Sequence, residues 1–100
     1  WNFGPNDANS KPVSWVVKRL ADLWGHNAKW NTSSKSQAHE AKILQLDCSK
    51  AKSILGWKSK LNLEKALEWT HEWYHAYHSK EDMPKFTRDQ ISSYQNMRCT

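Results

Sequence analysis

Seven tryptophans stand among twelve aromatic residues in a chain of only 100. An indole is rarely enclosed on every side, and a chain of this size removes only about two thirds of its unfolded surface from water. A single small core does not hold seven such rings, so some of them are expected to face a ligand or a second folded unit. The length allows one domain at most.

The chain opens on Trp1, Asn2, Phe3, Gly4 and Pro5, an apolar stub running straight into a turn, which reads as a strand cut from a longer protein. Neither a secretory leader nor an apolar run of about 18 residues is visible, and a soluble, cytoplasmic location is the expectation. Fifteen Lys and Arg against ten Asp and Glu leave a net charge of +5. That balance admits a nucleic acid, a membrane surface or a phosphorylated ligand. The lysines are nevertheless scattered along the whole length, whereas a reader of DNA or RNA gathers its charge on one face. Nucleic acid and membrane are therefore not the expected partners. Cys48 and Cys99 are too few and too far apart for a disulfide framework, and both are expected to be reduced.

The patterning predicts an α+β lobe, mainly helical, with two or three short strands. Ser10 is placed to cap a first helix and Pro12 suits its first turn. Val13, Val16, Val17, Leu20, Leu23 and Trp24 then recur at helical spacing until Gly25. A short strand is expected over Ala28 to Thr32, a polar loop over Ser33 to Gln37, and a second strand over Ala41 to Leu46. Asp47 caps a short helix over Cys48 to Leu55, which Gly56 ends. Asn62 caps the longest helix, which runs to about Ser79 with Leu63, Ala66, Leu67, Thr70, Trp73, Tyr74 and Tyr77 on one broad face. Pro84 interrupts the segment after that helix, and Thr87 to Gln90 form a capping box opening a last helix over Ile91 and Tyr94.

Three features invite a chemical reading. His71, Glu72 and His75 fit the H-E-x-x-H pattern of helical zinc sites. His78, the nearest further donor, stands where one zincin class demands glycine, and at 100° per residue all three histidines fall at the edge of the apolar face. They are read as boundary residues, with no metal. Cys48 follows a helix cap, where peptide dipoles activate a thiol, yet free cysteine is among the most buried residue types and packing is the favoured role. His39 and Glu40 sit between a polar loop and an apolar segment, a natural rim for a pocket, where they suit a base edge or a sugar hydroxyl. The alternative for that pair is two polar residues at a strand entrance. Gly4, Gly25 and Gly56 are isolated and open no phosphate-binding loop, so no nucleotide cofactor is expected to be held by that route.

The order of these pieces resembles the final third of the CDP-glucose 4,6-dehydratase family. The likeness rests on Trp1 to Pro5, on the Val13 to Trp24 helix with Gly25 at its end, and on His39, Glu40 and Ala41. It continues through Leu46 to Ala51, Leu55 to Trp57, Glu68 and Trp69 with Trp73 and Tyr74, and Glu81 to Met83. Leu55, Gly56 and Trp57 after an Asp-capped helix resemble the wider extended short-chain dehydrogenases, while His39 to Ala41 and Leu46 to Ala51 resemble the CDP-glucose branch. The chain departs from the family at Gln37 and Ala38, where His-Pro is common, and at Ser59, where proline is common.

The resemblance implies that residues 1–100 are the carboxy-terminal, sugar-nucleotide-binding lobe of a two-lobed, Rossmann-type lyase. An amino-terminal domain outside this sequence would hold NAD and a Tyr-x-x-x-Lys pair, and the intact enzyme would be a homo-oligomer. CDP-glucose would become its 4-keto-6-deoxy product by transfer of hydride from C4, loss of water across C5 and C6, and return of hydride to C6. The lobe alone is expected to catalyse nothing and to hold neither cofactor nor metal. Its implied substrate-side residues are Asn2, His39 and Glu40, with a turn-forming role the alternative for Asn2. From a different class, a free-standing basic module that binds a phosphorylated or nucleic-acid partner also fits the composition, and a small zinc peptidase fits the histidine pattern.

Overall fold

The computed structural model describes residues 1–31 and 45–98. Its elements are a 3-10 turn over Asp7–Asn9 and four helices: α1 (Val13–Trp24), α2 (Ser49–Leu55), α3 (Leu63–His78) and α4 (Met83–Asn96). Among the described residues there is no strand, so the expected α+β class is corrected to an all-helical one. A strand persists only in a ladder, because its backbone donors and acceptors need a neighbouring edge. The stub at Trp1 and the stretch from Ala28 to Asn31 have no such edge and stay irregular. Gly25, His26 and Asn27 all take positive φ (61°, 46° and 64°), which turns the chain sharply away from α1 just before Trp30. Most of the strand expected at 41–46 lies outside the described residues, and its last two, Gln45 and Leu46, are not in a strand.

Helix α1 ends at Gly25 as predicted but starts at Val13, two residues later than a cap at Ser10 requires. Pro12 stands at its head with φ −63°, and the amides of Trp15 and Val16 donate to the Pro12 carbonyl at 3.0 and 3.3 Å. Ser10 instead closes the preceding 3-10 turn, its amide donating to the Asp7 carbonyl at 3.0 Å. Gly25 ends α1 with φ 61° and ψ −153°, a region essentially closed to residues with a Cβ, while its amide donates to the Ala21 carbonyl.

Helix α3 is the spine, since α1 and α4 both pack on it. Asn62 caps it as expected, its Oδ1 accepting from the Lys65 amide at 2.8 Å. An Asn62→Ala replacement is expected to destabilise the fold by about 1 kcal/mol, read as a shift of the urea midpoint at unchanged slope; an unshifted midpoint would show that tertiary packing alone holds this end. Across the α1–α3 seam Arg19 Nε lies 3.3 Å from Glu64 Oε2, close enough for an ion pair but without the alignment of a hydrogen bond. Both side chains are partly exposed, so this pair orients the helices more than it stabilises them.

Helix α4 starts five residues earlier than the capping-box pattern predicts. Asp82 is the cap, its Oδ1 accepting from the Lys85 amide at 3.1 Å, and Pro84 sits in the first turn, where a missing N–H breaks no helical bond. Thr87 is thereby free to accept from Trp73 Nε1 at 3.0 Å, and Gln90 donates to the Trp69 carbonyl at 3.0 Å; together they lock α4 onto α3. Lys60 donates to the Tyr94 and Gln95 carbonyls at 3.1 and 3.0 Å, closing the far end of α4.

Among the described residues the buried apolar core is Cys48, Ala51, Leu67 and Ala76. None of the seven indoles is buried, and Trp1 is 59% exposed. The radius of gyration is 16.4 Å, against about 13 Å for a compact chain of this length. No described helix is long and apolar enough to cross a membrane.

Candidate functional site

Small side chains let the opening segment lie against the approach to α2. A Cβ on Gly4 would meet Leu46 Cδ1 at 3.3 Å and Cys48 Sγ at 3.5 Å, the first a distance at which a neighbour must give way. Asn2 Nδ2 donates to the Asp47 carbonyl at 3.3 Å, Phe3 meets Trp57 edge-on at 5.3 Å, and Lys50 Nζ lies 4.3 Å from the centre of the Trp1 ring. Gln45 Nε2 donates to Ser10 Oγ at 2.8 Å, tying the turn before α1 to the same place.

These contacts leave a shallow recess of about 260 Å³, lined by Pro5, Asp7, Gln45, Leu46, Asp47, Ser49 and Lys52 beside Cys48. That is below the roughly 300–1,000 Å³ of a pocket that encloses a whole small ligand, so it offers one wall of a site. Asp47 is its most defined group. Its carboxylate accepts from the Ser49 hydroxyl and from the Ser49 amide (2.9 Å), and these two bonds, helped by the charge of Lys52, hold its pKa below the usual carboxylate range. The wall thus presents carboxylate acceptors at Asp47 and Asp7 beside donors at Gln45, Ser49 and Lys52. Such a mixture suits sugar hydroxyls and contains no nucleophile paired with a base. Cys48 is only 4% exposed, with its thiol 3.7 Å from the Leu46 carbonyl, and is a packing residue.

Of the residues singled out in the sequence, Asn2 lies at the edge of this recess as a clasp between the opening segment and Asp47. His39 and Glu40 lie outside the described residues. Gln45, Ser49 and Lys52 carried no signal beyond the expected cap at Asp47, because their convergence depends on where the opening segment lies; the cap position is in fact Cys48, with α2 starting at Ser49, and Asp47 instead accepts from the first helical amide. Gly25 and Gly56 end helices and Gly4 packs on Leu46, so none of the three cradles a phosphate and these residues do not fit a dinucleotide.

The histidines of α3 surround an indole. Trp24 meets His71 edge-on at 4.9 Å, with His75 and His78 at 6.1 and 5.9 Å, and His71 Nε2 is buried without a hydrogen-bond partner. Among the described residues no group of three or more His, Cys, Asp or Glu side chains is arranged to hold a metal ion.

No family model matches the chain. A CDP-glucose 4,6-dehydratase from Salmonella typhimurium (strain LT2) is 39% identical over 94 residues, which is 94% of this chain and 26% of that protein. The resemblance is to this dehydratase. It is the likeness that the motifs suggested, and it extends over almost the whole chain. The chain spans about a quarter of the length of the curated relative it matches, a share consistent with a carboxy-terminal piece.

Proposed function

We propose that this chain is the sugar-nucleotide-binding lobe of a 4,6-dehydratase that acts on CDP-glucose. The observation that carries the reading is 39% identity to a CDP-glucose 4,6-dehydratase over nearly the entire chain. The polar wall around Asp47 supports it, since a sugar nucleotide offers hydroxyls and phosphates to just such donors and acceptors. NAD, which supplies hydride acceptance and return in this reading, belongs to residues outside these 100, as does the catalytic Tyr-x-x-x-Lys pair. The lobe binds and orients substrate, and alone it is inactive.

Asn2, His39 and Glu40 are the substrate-side residues in this reading. Glu40 is five residues from Gln45 on the recess wall, a reach of at most about 18 Å along the chain. Titrating the longer protein that carries this chain with CDP-glucose and with dTDP-glucose tests the proposal. Tighter binding of CDP-glucose is expected, and turnover of neither sugar nucleotide would refute it. His39→Ala and Glu40→Gln should each weaken CDP-glucose binding by about 5- to 50-fold, the range of one lost hydrogen bond to a polar or charged partner. Their melting temperatures should be unchanged, and parent-like affinity would remove both residues from the site.

A further inference from the structure

His71 and His75 stand one helical turn apart on α3, with ring centres separated by 5.8 Å and planes tilted by 43°. Two imidazoles that share one tetrahedral cation through nitrogens at about 2.0–2.1 Å have ring centres roughly 5 Å apart. Side-chain rotation closes that difference, because His75 is exposed and the helix already supplies the spacing. His71 Nε2 is buried and has no hydrogen-bond partner among the described residues. A buried nitrogen left in this way calls for an explanation, and an ordered water or a bound ion supplies one. The surroundings favour a cation. His71, Glu72, His75 and Glu81 line one cavity of about 290 Å³, closed on its apolar side by Ala76 and Phe86. Nitrogen lone pairs and two carboxylates therefore face the same space.

We infer that His71 and His75 chelate one divalent cation of the Zn²⁺, Ni²⁺ or Cu²⁺ class, with water in its remaining positions. Imidazole suits these ions, whereas Mg²⁺ and Ca²⁺ take oxygen donors. His78 packs on Trp24 beside the pair but completes no set of three donors, and Glu72 and Glu81 act as counter-charges across the cavity. A catalytic zinc of the H-E-x-x-H kind wants a third protein ligand, which a chelate completed by water does not. No reaction is assigned to this cation. Trp24 meets the His71 ring edge-on at 4.9 Å and holds it from the α1 side, so the bound ion would tie the last turns of α3 to a ring that is already positioned. The site is independent of the dehydratase reading.

Calorimetric titration of the longer protein that carries this chain, stripped of metal by a chelator, with Zn²⁺ tests the inference. His71→Gln and His75→Gln are each expected to weaken one Zn²⁺ equivalent by at least about 10-fold, since even groups behind a metal ligand cost 10- to 100-fold when removed. Parent-like stoichiometry and affinity in both variants would overturn it, as would Mg²⁺ binding at the same site with equal strength. His75 is exposed, so His75→Gln keeps the fold, and an unchanged circular dichroism spectrum checks this. Cu²⁺ gives a second readout that a purely structural role for the histidines would not move. Pulsed electron paramagnetic resonance of the parent with one equivalent of Cu²⁺ is expected to show coupling to two imidazole rings, and His75→Gln to show one fewer. Identical spectra for the two proteins would sink the chelate.

Discussion

Leu67→Ala is expected to destabilise the protein by about 2–3 kcal/mol and to lower its melting temperature by roughly 10–20 °C. Leu67 is the bulkiest of the four buried apolar residues and lies on α3, the helix on which both α1 and α4 rest. Removing its branched end takes away the burial of three carbons and leaves a gap that the helices close only in part. The lower part of the usual range for such a truncation applies because the neighbouring residues Ala66 and Glu68 are themselves partly exposed and the site can relax. Tyr77→Ala is the control: its ring is 56% exposed, so a change of under about 1 kcal/mol is expected. Thermal unfolding followed by far-ultraviolet circular dichroism measures both. Equal shifts for the two variants would mean that α3 is not the spine of the fold.

The second large effect is expected at Ala51, the only described residue with no exposed surface at all. Ala51→Leu forces three further carbons into a position with no exposed surface, and overpacking of this kind costs about 1–3 kcal/mol. The consequence for binding exceeds that for stability. The carbonyl of Ala51 receives the amides of both Gly56 and Trp57, so a displaced Ala51 moves the end of α2 and the Trp57 ring against Phe3 together. The recess wall at Asp47 and Ser49 sits at the head of the same short helix. In the proposed reading, Ala51→Leu should weaken CDP-glucose binding by at least 10-fold although residue 51 does not line the recess. Calorimetric titration well below the variant's melting temperature separates this from unfolding, and parent-like affinity would uncouple α2 from the site.

Both expectations depend on how little is buried. With four apolar side chains enclosed among the described residues, each of them supports a large share of the folded state, since net stability is a small difference between large terms. The same scarcity explains why the aromatic residues remain at the surface. Trp73 is fixed by its bond to Thr87 and by stacking on Tyr77 at 5.7 Å, and Trp24 by its ring of histidines, without either indole being enclosed.

The helices are legible because local chemistry sets them. Asn62 reads as a cap, Gly25 and Gly56 read as stops, and the apolar spacing between them reads as helix, whatever the rest of the chain does. The start of α4 is not legible in the same way, because Pro84 is compatible with two local outcomes, a break or a first turn, and the bond from the Lys85 amide to Asp82 selects the second. The expected strands fail for a less local reason: an alternating stretch such as Ala28 to Asn31 becomes a strand only if another edge pairs with it, and spacing along one segment says nothing about that edge. Motif order is enough to reveal the likeness to the dehydratase. The recess at Asp47 is not visible in that order, for it exists only where Asn2 and Gly4 are brought against residues more than forty positions away. Sequence alone determined the Asn62 cap, the glycine stops and the relationship, because each is written in neighbouring residues; tertiary structure decided the absence of strands among the described residues and the clasp at Asn2, because each depends on what lies across space from it.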